Sequence, residues 1–330
     1  MSVPTKVSSG LSKRVLKERN VVSEVAAHVS HEMSDALDLS TIVGIEKQAF
    51  NAEVADSHLL LMIDGLRREN DIVLMISNPL FPEAVSDAVE RLCKVHEVLA
   101  PRLRRRLHMP LVAGRWEGRS YASFPRLDTL SSRRIQAALE RRLVSRHVTS
   151  WLAEVALDTR QPVAVDEVAR LFEQPLDYLC QETALSDRLR DTARCLRSEG
   201  LGQLEMVFTV VEHGDFWIGN LLFERHRIPL LASVRGAFRI IDWGGARRDG
   251  YAFIDLVRYC MSTRAPEARA NRRDIERYRR HLGVDPEHIA LHVLASLGRL
   301  GQARNEFPKE RYVHLAGRME AFLRLHGYMV

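Results

Sequence analysis

The sequence predicts an α+β fold in which antiparallel strands come first and helices follow. Short apolar segments occupy residues 41–77, and a hairpin pattern with a tight turn occupies residues 109–127. Residues 128–200 and 266–328 instead repeat apolar side chains every three or four positions, which is typical of amphipathic helices. A region of strands followed by a region of helices favours the α+β class.

Length and composition are those of an ordinary globular protein. The chain has 330 residues, of which 46% are hydrophobic and 28% charged, so it can bury a large core in one or two domains. Its formal net charge is +5, which makes a nucleic-acid partner conceivable. No basic motif is interleaved with aromatic residues, however. We therefore interpret the arginines as a solvated surface and do not expect a nucleic-acid partner.

The cysteines and the N-terminus indicate where the protein is located. Four cysteines are scattered through the chain, and no CxxC or Cys/His cluster indicates zinc. The N-terminus lacks the charged and apolar regions of a secretory signal. No apolar run approaches the roughly 18 residues that a membrane span needs. We expect a cytoplasmic protein without a membrane span.

The first part of the chain is predicted to contain two helices and five strands. Residues 1–40 form an N-terminal extension with an amphipathic helical pattern. Three strands lie within residues 41–77. Prolines flank the next helix, at residues 82–99, and suit its first turn and its end. The hairpin that follows turns at residues 116–119.

Most of the remaining chain is predicted to be helical. Pro162 and Pro175 mark breaks between helices. The longest helix should turn apolar residues toward the core, namely Leu139, Leu143, Trp151, Leu152 and Val155. The predicted helices are residues 131–157, 165–171, 185–196, 266–282, 286–301 and 308–325.

The central stretch, residues 207–258, carries the polar side chains that indicate chemistry. A strand-like apolar run ends in His213-Gly214-Asp215, and Asn220 follows five residues after Asp215. Two further apolar segments form a hairpin with a long loop, and the second segment ends at Asp242. Strand ends hold side chains in place but leave them open to a cleft. Asp215, Asn220 and Asp242 can therefore converge on one point.

The chemistry of these three side chains favours phosphoryl transfer. The amide oxygen of Asn220 and the carboxylate of Asp242 are hard oxygen ligands, which Mg²⁺ takes together with water and phosphate oxygens. Asp215 is then available to accept the proton of a substrate hydroxyl. A base, an amide on metal and a carboxylate on metal are the parts of a phosphoryl-transfer site. Alternatively, Asp215 and Asn220 cap turns and have no catalytic role.

The segments HGDFWIGN, IIDW and DLVRY, in this order, resemble the motifs of the aminoglycoside-phosphotransferase-like kinases, a family of small-molecule kinases related to choline kinase. The likeness covers about fifty residues directly. It implies a two-lobed protein-kinase-like fold with a small antiparallel-sheet N-lobe and a larger, mainly helical C-lobe. The implied domains are an extension at residues 1–40, a nucleotide-covering N-lobe at residues 41–124, and a C-lobe with the catalytic loop and C-terminal substrate-binding helices at residues 125–330.

The resemblance also implies roles for single residues, with ATP and Mg²⁺ as cofactors and the hydroxyl of a small molecule as acceptor. Asp215 is the implied catalytic base, and Asn220 and Asp242 are the implied metal ligands. His213 and Asp255 are implied structural residues that brace the catalytic loop. Residues at the hinge between the lobes are expected to contact the adenine edge, namely Ser123, Phe124 and Arg126.

The sequence departs from the resembled family at the third predicted strand. The family carries there a lysine that holds the α- and β-phosphates, whereas Met75 stands near the corresponding place in this chain. Lys47 is the nearby candidate substitute, and a solvated turn lysine is the alternative interpretation. The second hypothesis is therefore a pseudokinase-like scaffold that binds a partner, with weak or no phosphoryl transfer. A third, a basic nucleic-acid binder, predicts steeply salt-dependent binding.

The charge of the C-terminal helices bears on the acceptor. Aminoglycosides are cations, and enzymes that phosphorylate them present acidic walls. The predicted helix at residues 266–282 is instead rich in arginine. This argues against an aminoglycoside and favours a neutral or anionic acceptor, such as a sugar, a glycan intermediate or a phosphorylated metabolite. Another antibiotic stays open as an acceptor.

Overall fold

Within the described residues, the strands of the largest sheet come early in the chain and most of the helices follow them. The computed structural model describes residues 44–48, 58–64, 71–199, 207–224, 234–263, 268–303 and 308–329. The predicted helix within residues 1–40 and, of the hairpin loop predicted at residues 224–236, residues 225–233 lie outside this part of the chain. The chain divides into two units, Met1–Glu90 with Met109–Arg126 and Arg91–His108 with Leu127–Val330.

An antiparallel sheet of five strands forms the first unit. The strands are β1 (Gly44–Gln48), β2 (Leu59–Asp64), β3 (Ile72–Ile76), β4 (Val112–Trp116) and β5 (Arg119–Pro125). Their order in the sheet is β1-β2-β3-β5-β4. Along β3, Ile72, Leu74 and Ile76 are buried, whereas Val73 and Met75 are partly exposed. The pleat of a strand imposes this period of two, so the sheet buries one of its faces.

The helix α1 (Ala84–Val98) begins where two serines of the sheet accept hydrogen bonds from its first amides. The Ser77 hydroxyl accepts the N–H of Val85 at 3.0 Å, and the Ser120 hydroxyl accepts the N–H of Ser86 at 3.1 Å. The first amides of a helix have no partner inside the helix, so these bonds determine where α1 starts. The helix predicted here is confirmed.

Helices make up most of the second unit. The most buried of them is apolar almost all round, as expected of a helix in a core rather than at a surface. Within the described residues, every helix is too short or too polar to cross a membrane. The helices are α2 (Pro101–Arg104), α3 (Arg134–Thr159), α4 (Val165–Val168), α5 (Gln174–Gln181), α6 (Asp187–Glu199), α7 (Ile254–Thr263), α8 (Arg269–Leu282), α9 (Glu287–Gln302, the buried helix) and α10 (Lys309–Leu325).

Two small sheets lie in the same unit as these helices. Their strands are β6 (Gln161–Pro162), β7 (Phe208–Glu212), β8 (Leu221–Phe223), β9 (Phe238–Ile240) and β10 (Arg247–Gly250). The first sheet has the order β10-β7-β6, and β8 pairs with β9 in an antiparallel hairpin. Every residue of β7 is buried, so its end is a fixed point from which the next residues start. The predicted hairpin is confirmed.

The predicted fold class is confirmed, but one predicted helix break is wrong. Pro175 does not separate two helices. Instead, α4 passes through the π-helical segment Ala169–Glu173 directly into α5, and Pro175 lies in the first turn of α5. Proline is tolerated in a first turn because its missing N–H is not needed there.

The predicted core face of α3 is correct at its C-terminal half and wrong at Leu139. Trp151, Leu152 and Val155 are buried, whereas Leu139 is 45% exposed. The inward position is taken by the next residue, Glu140, whose carboxylate accepts the N–H of Ser131 at 2.8 Å and the side-chain amide of Gln136 at 2.8 Å. A buried carboxylate that is hydrogen-bonded in this way costs little, so a polar residue displaces the leucine.

Candidate active site

The loop His213-Gly214-Asp215 follows β7 and is held by one carboxylate. Asp255, in the first turn of α7, accepts the backbone N–H of His213 at 2.7 Å and that of Gly214 at 3.1 Å. Gly214 has a φ of +82°, and a Cβ there would lie 2.5 Å from the carbonyl oxygen of Gly245. The loop backbone therefore has one conformation, which glycine and Asp255 together permit.

The imidazole of His213 joins the loop to the end of β9. Its Nδ1 accepts the N–H of Asp215 at 3.3 Å, and its Nε2 donates to the carbonyl oxygen of Ile241 at 2.9 Å. Only the neutral ring with its proton on Nε2 satisfies both bonds. Burial lowers the pKa of His213 to about 4, and the positive charge of Arg258 acts in the same direction, against the bond to Ile241. His213 is thus a neutral brace at physiological pH.

The carboxylate of Asp215 is accessible and is held by an arginine. The side chain of Asp215 is 44% exposed and forms an ion pair with Arg258, whose side chain is 17% exposed. The same guanidinium donates to the carbonyl oxygen of Gly214 at 2.8 Å. Because Arg258 holds both the loop backbone and the carboxylate, Asp215 has a defined direction before any ligand binds.

Asn220 and Asp242 are linked to this loop by a short chain of hydrogen bonds. The side-chain N–H of Asn220 donates to the backbone oxygen of Asp215 at 2.9 Å, and Asn220 is buried. The backbone oxygen of Asn220 accepts the N–H of Ile241 at 3.1 Å, where the hairpin of β8 and β9 begins. Asp242 is the next residue. Two hydrogen bonds and one peptide bond therefore connect Asp215, Asn220 and Asp242.

Asp242 has a backbone conformation that few side chains adopt. Its φ of 64° and ψ of 59° lie in the left-handed region, and its side chain is exposed. The next residue, Trp243, is buried and donates its indole N–H to the Ile240 oxygen at 3.0 Å. Aspartate tolerates the left-handed region better than most residues, and the anchored Trp243 holds it there. Such conformations concentrate at functional sites.

The oxygen atoms of Asn220 and Asp242 fit a Mg²⁺ ion that keeps most of its water and phosphate ligands. The side-chain nitrogen of Asn220 is engaged with Asp215, so its amide oxygen is the atom available for coordination. Two protein oxygens, one amide and one carboxylate, are typical of such a site. Among the described residues, no group of three or more His, Cys, Asp or Glu side chains could hold a metal.

A second carboxylate lies buried behind the loop. Glu212, the last residue of β7, accepts the N–H of Tyr251 at 2.8 Å. Burial raises the pKa of Glu212, while the Tyr251 N–H and nearby arginines, including Arg258, oppose the rise. Burial also raises the pKa of Asp255, and the charge of Glu212 adds to that rise. Arg258 thus lies among three carboxyl groups and stabilises the charge that burial disfavours.

The residues predicted to contact the nucleotide lie in the first unit, in or beside β1 and β5. Ser123 is buried and its backbone oxygen accepts the N–H of Leu111 at 2.8 Å. Phe124 lies opposite Val73 in the sheet, and the N–H of Arg126 donates to Asp71 at 2.9 Å. Lys47 lies in β1 opposite Leu61. Their roles stay predictions. Met75 lies in β3, opposite Leu60 and Ala122.

No family model matches the sequence, and no curated protein matches it. Solved structures with a similar fold include a thermostable mutant of aminoglycoside phosphotransferase APH(4)-Ia, with a TM-score of 0.49 and 16% identity, over 87% of this chain and 96% of that one. A putative fructosamine-3-kinase from Haemophilus somnus has a TM-score of 0.47 and 10% identity, over 86% and 91%. Choline kinase from Cryptosporidium parvum has 0.47 and 11%, over 92% and 95%. The likeness is one of fold.

Two residues of the site were missed from the sequence. Arg258 belongs to the DLVRY segment, and its spacing of three from Asp255 places both on one face of α7, a signal that was available. Glu212 immediately precedes His213. At the end of a predicted strand, the sequence alone does not indicate that its carboxyl group is buried. Its burial depends on β10, whose polar sequence, Arg247–Gly250, gives no strand signal.

Proposed function

We propose that this chain is an ATP- and Mg²⁺-dependent phosphotransferase that phosphorylates a hydroxyl group of a small molecule. The observation that supports it is the hydrogen-bonded connection of three residues. Asn220 joins the backbone of Asp215 on one side and the strand end that carries Asp242 on the other. A base beside an amide and a carboxylate ligand is the arrangement that phosphoryl transfer needs.

Asp215 is the proposed general base. Its half-exposed carboxylate can reach a bound hydroxyl, and the ion pair with Arg258 fixes its direction. The acceptor oxygen forms a bond to the γ-phosphorus while the bond from that phosphorus to the bridging oxygen of ADP breaks. The hydroxyl proton passes to Asp215. Catalysis then rests on positioning and on charge neutralisation.

The amide oxygen of Asn220 and the carboxylate of Asp242 are the proposed metal ligands. When bound there, Mg²⁺ neutralises charge on the phosphate oxygens. The left-handed backbone at Asp242 and the buried side chain of Trp243 hold the carboxylate at the end of β9. His213 and Asp255 are the proposed structural residues, since both bond to the loop without facing a substrate.

We propose that residues 41–124 form the part of the protein that covers the nucleotide. We assign the adenine edge to Ser123, Phe124 and Arg126, and we propose Lys47 as the nearby candidate substitute for the phosphate-binding lysine of the resembled family. Since Met75 occupies the third strand, we expect weak ATP affinity. This observation also favours the alternative function, a pseudokinase-like scaffold. Residues 125–330 are the proposed catalytic and acceptor-binding part, and residues 1–40 an extension.

A cytoplasmic location is proposed together with the activity, because ATP is the phosphate donor. The four cysteines form no disulfide within the described residues, which agrees with a reducing compartment. The acceptor is proposed to be neutral or anionic, since the arginines near the C-terminus would repel a cationic antibiotic.

Thermal shift and ADP release together test the proposal. The full chain is heated with ATP, with Mg²⁺ and with both, and is then incubated with a panel of sugars, phosphorylated metabolites and antibiotics. We expect ATP to stabilise the protein more when Mg²⁺ is present than when it is absent, and ADP release with at least one acceptor. Stabilisation by neither, together with no ADP release from any acceptor, would favour the scaffold instead.

A further inference from the structure

A groove lined mainly by arginines lies between α8 and the end of the chain. Its volume is about 940 Å³. We call it the arginine groove and define it by its lining residues, which are Arg269, Arg272, Arg273, Glu276, Arg277, Arg280, His281, Leu325 and His326.

The helical period places these arginines on one side of α8. Each of the positions 269, 272, 273, 276, 277 and 280 has another member of the set three or four residues away. They therefore form one stripe on the helix, about 16 Å long at 1.5 Å per residue. The opposite face of α8 is buried, at Asn271, Asp274, Ile275, Tyr278 and Leu282. The core therefore fixes which way α8 faces, and the arginines are presented to solvent together.

The positive charge of the groove is only partly balanced by the protein. Among the described lining residues Glu276 is the one acid, and its carboxylate already accepts bonds from Arg279 at 2.9 Å and from the Tyr328 hydroxyl at 2.9 Å. Arg277 lies 3.7 Å from Asp274, and Arg280 lies 4.0 Å from Glu276, which are long for ion pairs.

The three arginines nearest the start of α8 have no such carboxylate. Within the described residues, neither Arg269, Arg272 nor Arg273 lies within ion-pair distance of an acidic side chain. Like charges three or four residues apart on a helix repel each other, and the first turn of α8 contains no acidic residue. An external anion would remove a local electrostatic conflict that the described residues leave in place.

We propose that the arginine groove binds a small soluble anion that carries two or more phosphate groups. The guanidinium group is a planar fork that matches phosphate oxygens in pairs, and neighbouring arginines along the stripe could hold successive phosphates. The cavity volume lies in the range of small-molecule sites. None of Asp215, Asn220 and Asp242 is among the lining residues of the groove, and the inference does not depend on the proposed phosphoryl transfer.

Two larger partners fit the groove less well. Single-stranded nucleic acids bind where bases stack on aromatic side chains, and no Phe, Tyr or Trp is found among the lining residues in the described part of the chain. A membrane surface is recognised by an exposed helix face with large apolar side chains, whereas this site is concave and has a single exposed leucine, Leu325.

Calorimetric titration of the full chain with inorganic tripolyphosphate tests the inference. The groove variant is Arg269→Gln with Arg273→Gln, which removes two charges and keeps good helix formers. The matched control is Arg188→Gln with Arg311→Gln, two exposed helical arginines that do not line the groove. We expect the groove variant to bind tripolyphosphate about tenfold or more weakly than wild type, and the control variant to bind as wild type.

Further measurements distinguish anion binding in the groove from binding at the proposed nucleotide site and from binding of RNA or membranes. Asp242→Ala, which changes the proposed metal site and not the groove, should bind tripolyphosphate as wild type does, which distinguishes the groove from the proposed nucleotide site. If the groove variant does not fold, Arg272→Gln with Arg280→Gln replaces it. Equal tripolyphosphate affinity in the groove variant and wild type would overturn the proposal. So would tighter, groove-dependent binding of a short RNA or of phosphatidylcholine vesicles containing phosphatidylserine.

Discussion

The carboxylates of Asp215 and Asp255 meet an arginine or backbone N–H donors that the protein supplies, whereas the arginine groove collects like charges in solvent. Asp215 pairs with Arg258, and Asp255 accepts two backbone N–H bonds. In the groove, the arginines at the start of α8 have no acidic partner among the described residues. The first region is organised before a ligand arrives, and the second requires an ion from outside.

This difference predicts that substitutions in the two regions have different consequences. Around Asp215, removal of a charge should leave a buried partner unsatisfied and should cost activity or stability. In the groove, removal of a charge should cost neither activity nor stability, and should weaken the binding of anions. The following predictions test the contrast, beginning with the largest expected effect.

Asp215→Asn should lower the rate of phosphoryl transfer by about 10²–10⁴-fold, the usual contribution of a general base. The amide keeps the shape of the side chain and can still accept a bond from Arg258, so folding and nucleotide binding should be unchanged. Turnover is measured by ADP release with the acceptor found in the screen, and folding by thermal denaturation. A variant with near-wild-type turnover would show that Asp215 is not the base.

Asp242→Ala should remove the stabilisation that ATP and Mg²⁺ give together. The proposed site has only two protein oxygens, so loss of the carboxylate leaves Asn220 alone, which cannot hold the ion. The melting temperature is compared with ATP alone and with ATP plus Mg²⁺. Asp249→Ala is the matched control, since its carboxylate pairs with Arg299 at 2.9 Å instead. An unchanged dependence on Mg²⁺ in Asp242→Ala would exclude Asp242 as a ligand.

Asp255→Ala should destabilise the protein by several kcal/mol. The substitution leaves the N–H groups of His213 and Gly214 buried without an acceptor, at roughly 1–3 kcal/mol each. The free energy of unfolding is measured by urea denaturation. Asp166→Ala, which removes an exposed carboxylate in α4, should change it little. A loss in Asp255→Ala no greater than in this control would contradict the bracing role.

Predictions from the sequence agree with the structure where they rest on a strong local pattern of residues. They fail where a residue's position depends on contacts between elements that are distant in the sequence. The apolar runs before His213 and Asp242 are continuous, so the strand ends that carry them were predictable. Arg258 was not assigned a role, because its contact with Asp215 exists only when α7 packs behind the loop. Leu139 was placed in the core by its period, yet the hydrogen bonds of Glu140 turn that face outward.

His213 should make stability depend on pH between about 6.5 and 4. The folded protein holds this ring neutral, with a pKa of about 4 against 6.5 for a solvent-exposed histidine. As the pH falls through this range, the unfolded chain takes up the proton first, so the free energy of unfolding falls, by at most about 1.4 kcal/mol per pH unit. The buried carboxyls Glu212 and Asp255 act in the opposite sense, because their raised pKa values let the folded state take up protons first.

The contribution of His213 is therefore obtained from a difference between two proteins. Glutamine at this position can still donate to Ile241 and accept from Asp215, but it does not titrate. The free energy of unfolding of wild type minus that of His213→Gln should decrease as the pH is lowered from about 6.5 to 4. A difference that stays constant over this range would mean that the ring is not held neutral.

The smallest effect is expected in the arginine groove, and its sign is opposite to the others. Arg269→Gln with Arg273→Gln removes repulsion between Arg269 and Arg272, between Arg269 and Arg273, and between Arg273 and Arg277. Each pair is worth about 0.2–0.5 kcal/mol in a helix, so the variant should be slightly more stable than wild type at low salt. The gain should disappear at high salt, which screens exposed charges, while Arg188→Gln with Arg311→Gln should show neither effect. A groove variant that is clearly less stable than wild type would mean that these arginines, like Arg258, are already neutralised within the protein, and the contrast between the two regions would be lost.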